Sequence, residues 1–241
     1  LISHSDASLT EVARRVANPG LSALERADME MRFGVKYHPT SLLTSARLAT
    51  VLRPSSNLYF DFMHCFLSNG VVDCELELFI AQCAEEGVRL VPMLSQLVKN
   101  MKWPKHVSAP STKCFTDSGS WTRGASELLS LHPVVRDFVV RVLPPDIAVP
   151  HRRSLLALFH VLDGYSVLQR GKKPKHWMVA MGKWLGLFKA ACPSFELRPK
   201  RHFCMHMEHQ INQHELLLSC FCLERRHKTF KGFASATLTL N

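Results

Sequence analysis

Asn57-Leu58-Tyr59-Phe60-Asp61-Phe62-Met63, followed directly by His64, is the stretch whose reading decides the fold. It is short, aromatic-rich and bounded by Pro54-Ser55-Ser56, so it reads as a buried strand better than as a helix. An Asp inside such a run is conspicuous, because an unpaired buried carboxylate is costly. The end of a central strand is where many α/β proteins place a metal ligand, and His64 stands close enough in sequence to orient a phosphate or a nucleophile. The ordinary structural alternative is an Asp that caps the following segment and a His that fills a half-buried slot. These residues alone leave both readings open.

On either side of this run the pattern is helical. Upstream, Ser8-Leu9-Thr10-Glu11 and Ser22-Ala23-Leu24-Glu25 fit the capping box, and Pro19-Gly20 separates the two helices they announce. A third helix is expected from near Thr40 to before Pro54. Downstream, Val72, Leu76, Phe79, Ile80 and Cys83 return to helical spacing, which stops at Gly87. Further helices are expected over about 92–101, 124–131, 134–143, 152–169 and 175–190, with an irregular Pro-, Ser- and Thr-containing loop over 103–123. Pro199 can open another that carries Lys200, His202, His206 and His209 and ends near Gln213-His214. Trp103, Trp177 and Trp184, near some of the basic clusters, are expected to pack in the core from helical positions.

The bulk numbers bound the partners. Thirty Lys and Arg against 20 Asp and Glu leave a formal charge of +10, which favours an anionic partner, most commonly nucleic acid. A hydrophobic content of 46% is too high for a disordered chain and supplies material for a core. No apolar run approaches a membrane span. Eight Cys lie mostly within apolar segments and no secretory signal precedes them, so the expectation is reduced thiols in an intracellular setting. The chain begins at Leu1 rather than Met, and both ends read as cut.

The C-terminal part is the densest in chemistry. Glu224 is a lone acid after the apolar run Leu216–Leu223 and before Arg225, Arg226, His227 and Lys228. It reads either as a metal ligand flanked by phosphate contacts or as a solvated helix face. Two-metal phosphodiester chemistry needs acids from separate segments, and Asp61 and Glu224 qualify as such a pair. His202, Cys204, His206, His209, Cys220, Cys222 and His227 form a crowd of soft ligands. Their spacing is poor for a zinc knuckle, which makes a zinc-stabilised helical domain a lesser alternative. Basic clusters at Lys99–Lys105, Arg170–Lys175, Arg198–Arg201 and Arg225–Lys231 can together supply phosphate contacts without sequence preference.

Three segments resemble one family. Leu58-Tyr59-Phe60-Asp61-Phe62-Met63-His64-Cys65, with Asn69-Gly70-Val71 after it, resembles the Asp-x-Met-His segment of CACTA-type (En/Spm) DNA transposases. Lys200-Arg201-His202-Phe203-Cys204-Met205-His206 is similar to their Lys-x-His-x-x-x-His segment, and Cys222–Lys231 to their Phe-Glu-x-x-His-Lys-x-x-Lys segment, in the same order. The resemblance implies an RNase-H-like core with a metal site of two Asp and one Glu, interrupted by a helical insertion before the Glu. It would make Asp61 the second acidic ligand and Glu224 the third, with His64 in the same motif and Mg2+ as the metal pair. No strand with a first Asp is found upstream, since Asp6 and Asp28 lie in polar or helical contexts, and Leu223 stands where the family has an aromatic residue.

The combined expectation is a mainly α chain with a small α/β element, a partial RNase-H-like core interrupted by a large helical insertion. Residues 1–86 would hold the N-terminal helices and partial core, 87–196 the insertion, and 197–241 the helices completing the core. Its function would be that of a transposase fragment, inactive alone for want of the first Asp. Asp61, His64 and Glu224 would belong to the catalytic site, and Lys200, Arg201, Arg225, Arg226 and Lys228 would hold the DNA backbone. The alternatives are a non-catalytic DNA-binding or protein-interaction module and the zinc-stabilised domain, and self-association is left open.

Overall fold

A computed structural model of the chain describes residues 6–33, 36–39, 45, 47–48, 51, 60–105, 107, 110, 124–170, 172, 176–195 and 199–214. The chain divides into two compact units, 1–59 and 60–241. In the first, α1 (Asp6–Val16) and α2 (Ala23–Phe33) are joined through Pro19-Gly20. The Ser22 box forms as expected: its N–H donates to the Glu25 carboxylate at 2.9 Å and its hydroxyl accepts from the Glu25 N–H at 3.3 Å. Ser8 does not start a helix, because α1 already begins at Asp6, and Glu11 pairs instead with Arg14. Arg26 ties the two helices by donating to the carbonyls of Val16 and Asn18. The third helix expected near Thr40 falls almost wholly outside the described residues.

The described residues of the second unit form helices joined by turns and irregular segments, and contain no strand. A π-helix (Met63–Leu67) is followed by α3 (Val71–Glu85), α4 (Leu90–Asn100), α5 (Ala125–Arg141), α6 (Val149–Gln169), α7 (Trp177–Ala191) and α8 (Pro199–His214). The mainly α expectation is met, but the strand at Asn57–Met63 is corrected. Residues 57–59 lie outside the described set, Phe60 and Asp61 are irregular, and a helical turn begins at Phe62. A short apolar run does not distinguish strand from buried helix by periodicity. Here the aromatic side chains stack on helices: Phe62 lies face to face with Tyr165, centroids 3.9 Å apart, and 4.8 Å from Phe66.

α3 stops where the sequence placed its end. Gly87 has φ +82°, the left-handed conformation that costs glycine nothing. The Val88 N–H returns to the Cys83 carbonyl and the Gly87 N–H to that of Ala84, closing a Schellman motif. The two helices expected over 124–131 and 134–143 are one, α5, running through Pro133. Proline removes the N–H that an α-helix would aim at the Leu129 carbonyl. His132 replaces it, with Nδ1 2.8 Å from that oxygen; a carbonyl only accepts, so Nδ1 carries the proton. Arg136 then grips Asp163 of α6 with both nitrogens, at 2.5 and 2.8 Å. Burial raises the Asp163 pKa, but nearby His132 and the hydrogen-bonded, charged Arg136 outweigh it and hold the carboxyl well below the usual range.

One carboxylate sits in the middle of this packing. Glu75 of α3 is 3% exposed and accepts from the Ser154 hydroxyl of α6 and, at 2.6 Å, from the Trp184 indole N–H of α7. Burial drives its pKa up to about 7, against those two hydrogen bonds and the charge of Arg201. Trp177 and Trp184 are both in the core, as their helical positions suggested. Trp177 donates to the Val161 carbonyl at 3.0 Å and lies where a Cβ on Gly164 would come within 2.8 Å of its ring.

Two outcomes follow. His132→Phe fills the same space but leaves the Leu129 carbonyl without a donor, so urea unfolding should show a loss of about 1–3 kcal/mol; a variant as stable as wild type contradicts the substitute-donor role. For Glu75, the folded pKa of about 7 lies above the ordinary 4.5, so the fold binds the proton more tightly than the unfolded chain does. Its stabilising contribution is complete at low pH and is lost as pH rises through that interval. Stability of wild type minus that of Glu75→Gln, measured by urea unfolding at several pH values, should fall across it; a flat difference contradicts the assignment.

Candidate functional site

Asp61 closes the start of the helical turn that leads into the π-helix. Its Oδ2 accepts the backbone N–H of His64 at 2.9 Å, the three-residue reach of an N-cap, and lies 2.6 Å from His64 Nδ1. The Asp61 side chain is 16% exposed and that of His64 46%, so the pair opens to solvent from the His side. The capping role weighed for Asp61 is thus realised, and the same oxygen fixes the imidazole. The turn after the π-helix is strict about residue type. Asn69 has φ +47°, and a Cβ on Gly70 would run into the backbone of Phe66, which accounts for Asn-Gly at this point.

α8 packs directly against this motif. The Phe60 ring stacks on Phe203, centroids 4.6 Å apart, and lies 5.5 Å from the His206 ring. The Phe60 N–H donates to the Gln210 side-chain oxygen at 3.2 Å. The Lys200 ammonium donates to the carbonyls of Ser68 and Asn69, both at 2.9 Å, satisfying the end of the π-helix and adding a cation at its negative pole. Cys65 and Cys204 are both buried, and each perturbs the other's thiol. The Cys204 thiol lowers the Cys65 pKa, against burial and Asp61, while burial pushes that of Cys204 well up.

The expected DNA contacts fare differently. Lys200 spends two donors inside the protein. Arg201 is 2% exposed, its guanidinium 3.8 Å above the Phe188 ring and 4.9 Å from that of Phe195, with Nη2 3.6 Å from Cys74 Sγ. A buried guanidinium does not reach a DNA backbone, so Arg201 is reassigned from phosphate contact to core. Glu224, Arg225, Arg226, His227 and Lys228 lie outside the described residues. Among the described residues no group of three or more His, Cys, Asp or Glu is placed to hold a metal ion. Asp61 and His64 form one pair; His202 and His206 form another, Nε2 to Nε2 2.9 Å.

Sequence reasoning missed Glu75 and Phe60 as contact-making residues. Glu75 had a signal: it lies within the apolar stripe of Val72, Leu76 and Phe79, where a solvated face would not place it. Phe60 had none, because its partners stand about 140 residues away. No helix among the described residues is long and apolar enough to cross a membrane. No family model, curated protein or solved structure matches the chain.

The cap and the imidazole contact separate by substitution. Asp61→Ala removes both and should cost about 1 kcal/mol in urea unfolding, whereas Asp61→Asn keeps an acceptor for the His64 N–H and should lose only a few tenths. Equal losses for the two would contradict capping as the structural role of Asp61.

Proposed function

We propose that this chain carries part of the catalytic domain of a CACTA-type DNA transposase, with Asp61 as the second acidic ligand, Glu224 as the third, and DNA as its partner. The observation that supports the reading is the packing of the Asp61–His64 segment on α8. Two of the three segments that resemble the family, some 140 residues apart in sequence, meet through Phe60, Phe203, His206 and Lys200. The proposal extends to an RNase-H-like core whose helical insertion falls between them, and to a nuclear setting. The net charge of +10 suits a polyanionic partner.

Asp61 by itself does not make a magnesium site. It offers one carboxylate, one oxygen of which already serves His64, whereas a hard dication with several waters is held by further acids and by phosphate. Glu224 is the residue that would complete the donor set. Bound there, magnesium would stabilise charge on the phosphodiester oxygens during strand cleavage and transfer. The chain's own contribution is to hold Asp61 and His64 in fixed relation beside α8. Phosphate contacts are assigned to Arg225, Arg226 and Lys228, with exposed Lys99, Lys102, Lys105, Arg170 and Lys172 as further sequence-independent cations.

A second reading, a DNA-binding module without catalysis, is favoured by the engagement of Asp61 Oδ2 as a cap. One experiment on the full chain tests both: DNA binding by fluorescence anisotropy across a salt series, with strand cleavage of a labelled duplex in magnesium. Salt-dependent binding is expected, and neutralising Arg225, Arg226 and Lys228 together should reduce the slope of log K on log salt by about 2–3. With only two acids of the three in the chain, no cleavage is expected. Any cleavage by an Asp61→Asn, Glu224→Gln double variant contradicts the ligand assignment, and absence of binding at moderate salt contradicts both readings.

A further inference from the structure

The histidines of α8 have a geometry that neither capping nor DNA binding uses. His202, His206 and His209 follow one another at intervals of four and three, along one face of the helix. The first two converge: their Nε2 atoms are 2.9 Å apart and their ring planes stand at 75°. His202 is exposed and His206 half-buried, its ring restrained by Phe60. Cys204, between them in sequence, is buried in the core, so it does not belong to this pair.

Without a metal, two nitrogens at this distance require one ring to donate its Nε2 proton to the lone pair of the other. The spacing also suits two ligands on one ion. Metal–nitrogen bonds of about 2.0–2.1 Å that meet at a right angle place the nitrogens roughly 2.9 Å apart; a tetrahedral angle would need about 3.3–3.4 Å. Right-angled positions belong to square-planar and octahedral ions, and imidazole pairs with Cu(II) and Ni(II) in such geometry. We propose that His202 and His206 form a two-nitrogen chelate for a divalent late-transition-metal ion of the copper(II)–nickel(II) class, the remaining positions being left to water or to another ligand. On binding, the donating ring shifts its proton from Nε2 to Nδ1, so that both Nε2 lone pairs face the ion. The inference is independent of the transposase reading.

The test is titration of the full chain with Cu(II), followed by electron paramagnetic resonance, and with Ni(II) and Zn(II) by calorimetry. A first Cu(II) equivalent should show coupling to two imidazole nitrogens. His202→Ala and His206→Ala should each lose one of them and weaken binding by roughly a hundredfold, the order of a chelate's advantage over one arm. His209→Ala should bind as wild type does. His202→Gln and His206→Gln, which keep polar bulk, repeat the measurement if an alanine variant misfolds by circular dichroism. Wild-type-like Cu(II) binding in the His202 or His206 variants overturns the site. An equal loss in His209→Ala, or tighter binding of Zn(II) than of Cu(II), overturns the right-angled pair.

Discussion

The buried carboxylate of Glu75 is the constraint on which the rest of the second unit depends. A carboxylate taken out of water survives only with partners, and those of Glu75 come from different helices: the Ser154 hydroxyl from α6 and the Trp184 indole from α7. Meeting its hydrogen-bonding needs therefore fixes three helices at once. The charge of Arg201 brings in a fourth. That guanidinium lies against Phe188 and Phe195, where a desolvated cation over an aromatic face gains on the order of 1–2 kcal/mol. Lys200 is the preceding residue, about 100° around α8, and it meets the carbonyls of Ser68 and Asn69. An anchor in the core thus sets the register in which α8 meets the Asp61 motif.

Much of the helical architecture was legible in the sequence. Ser22 and Glu25, Gly87 and Pro199 each announce a helix boundary by a local mechanism, and each stands where the structure has one. What failed were readings in which a distant partner decides. Phe60–Met63 looked like a strand because aromatic residues suit sheets, yet its rings find Tyr165 and Phe203. Pro133 looked like a break because its missing N–H is a local fact, while the repair by His132 takes side-chain geometry. Arg201 looked like a phosphate contact because it follows Lys200 in a basic cluster, and only the fold places Phe188 beneath it.

The same tension runs through the candidate site. Asp61 was singled out because a carboxylate in an apolar run needs a reason, and the structure supplies one in the N–H and ring of His64. A cap and a metal ligand are not exclusive, since a carboxylate has two oxygens and several lone pairs. A ligand that is also a cap is held in place before any metal arrives. The contacts of Phe60 and Lys200 with their partners hold the segment firmly on α8. What a metal would add is the tie to a second acid from further along the chain.

That tie is the central claim, and manganese(II) binding, followed by loss of the free-ion electron paramagnetic resonance signal, tests it most directly. If Asp61 and Glu224 share one site, Asp61→Asn and Glu224→Gln should each weaken binding at least about tenfold, and the double variant should be little worse than either. Binding that neither substitution changes would contradict a shared metal site, leaving Asp61 a helix cap.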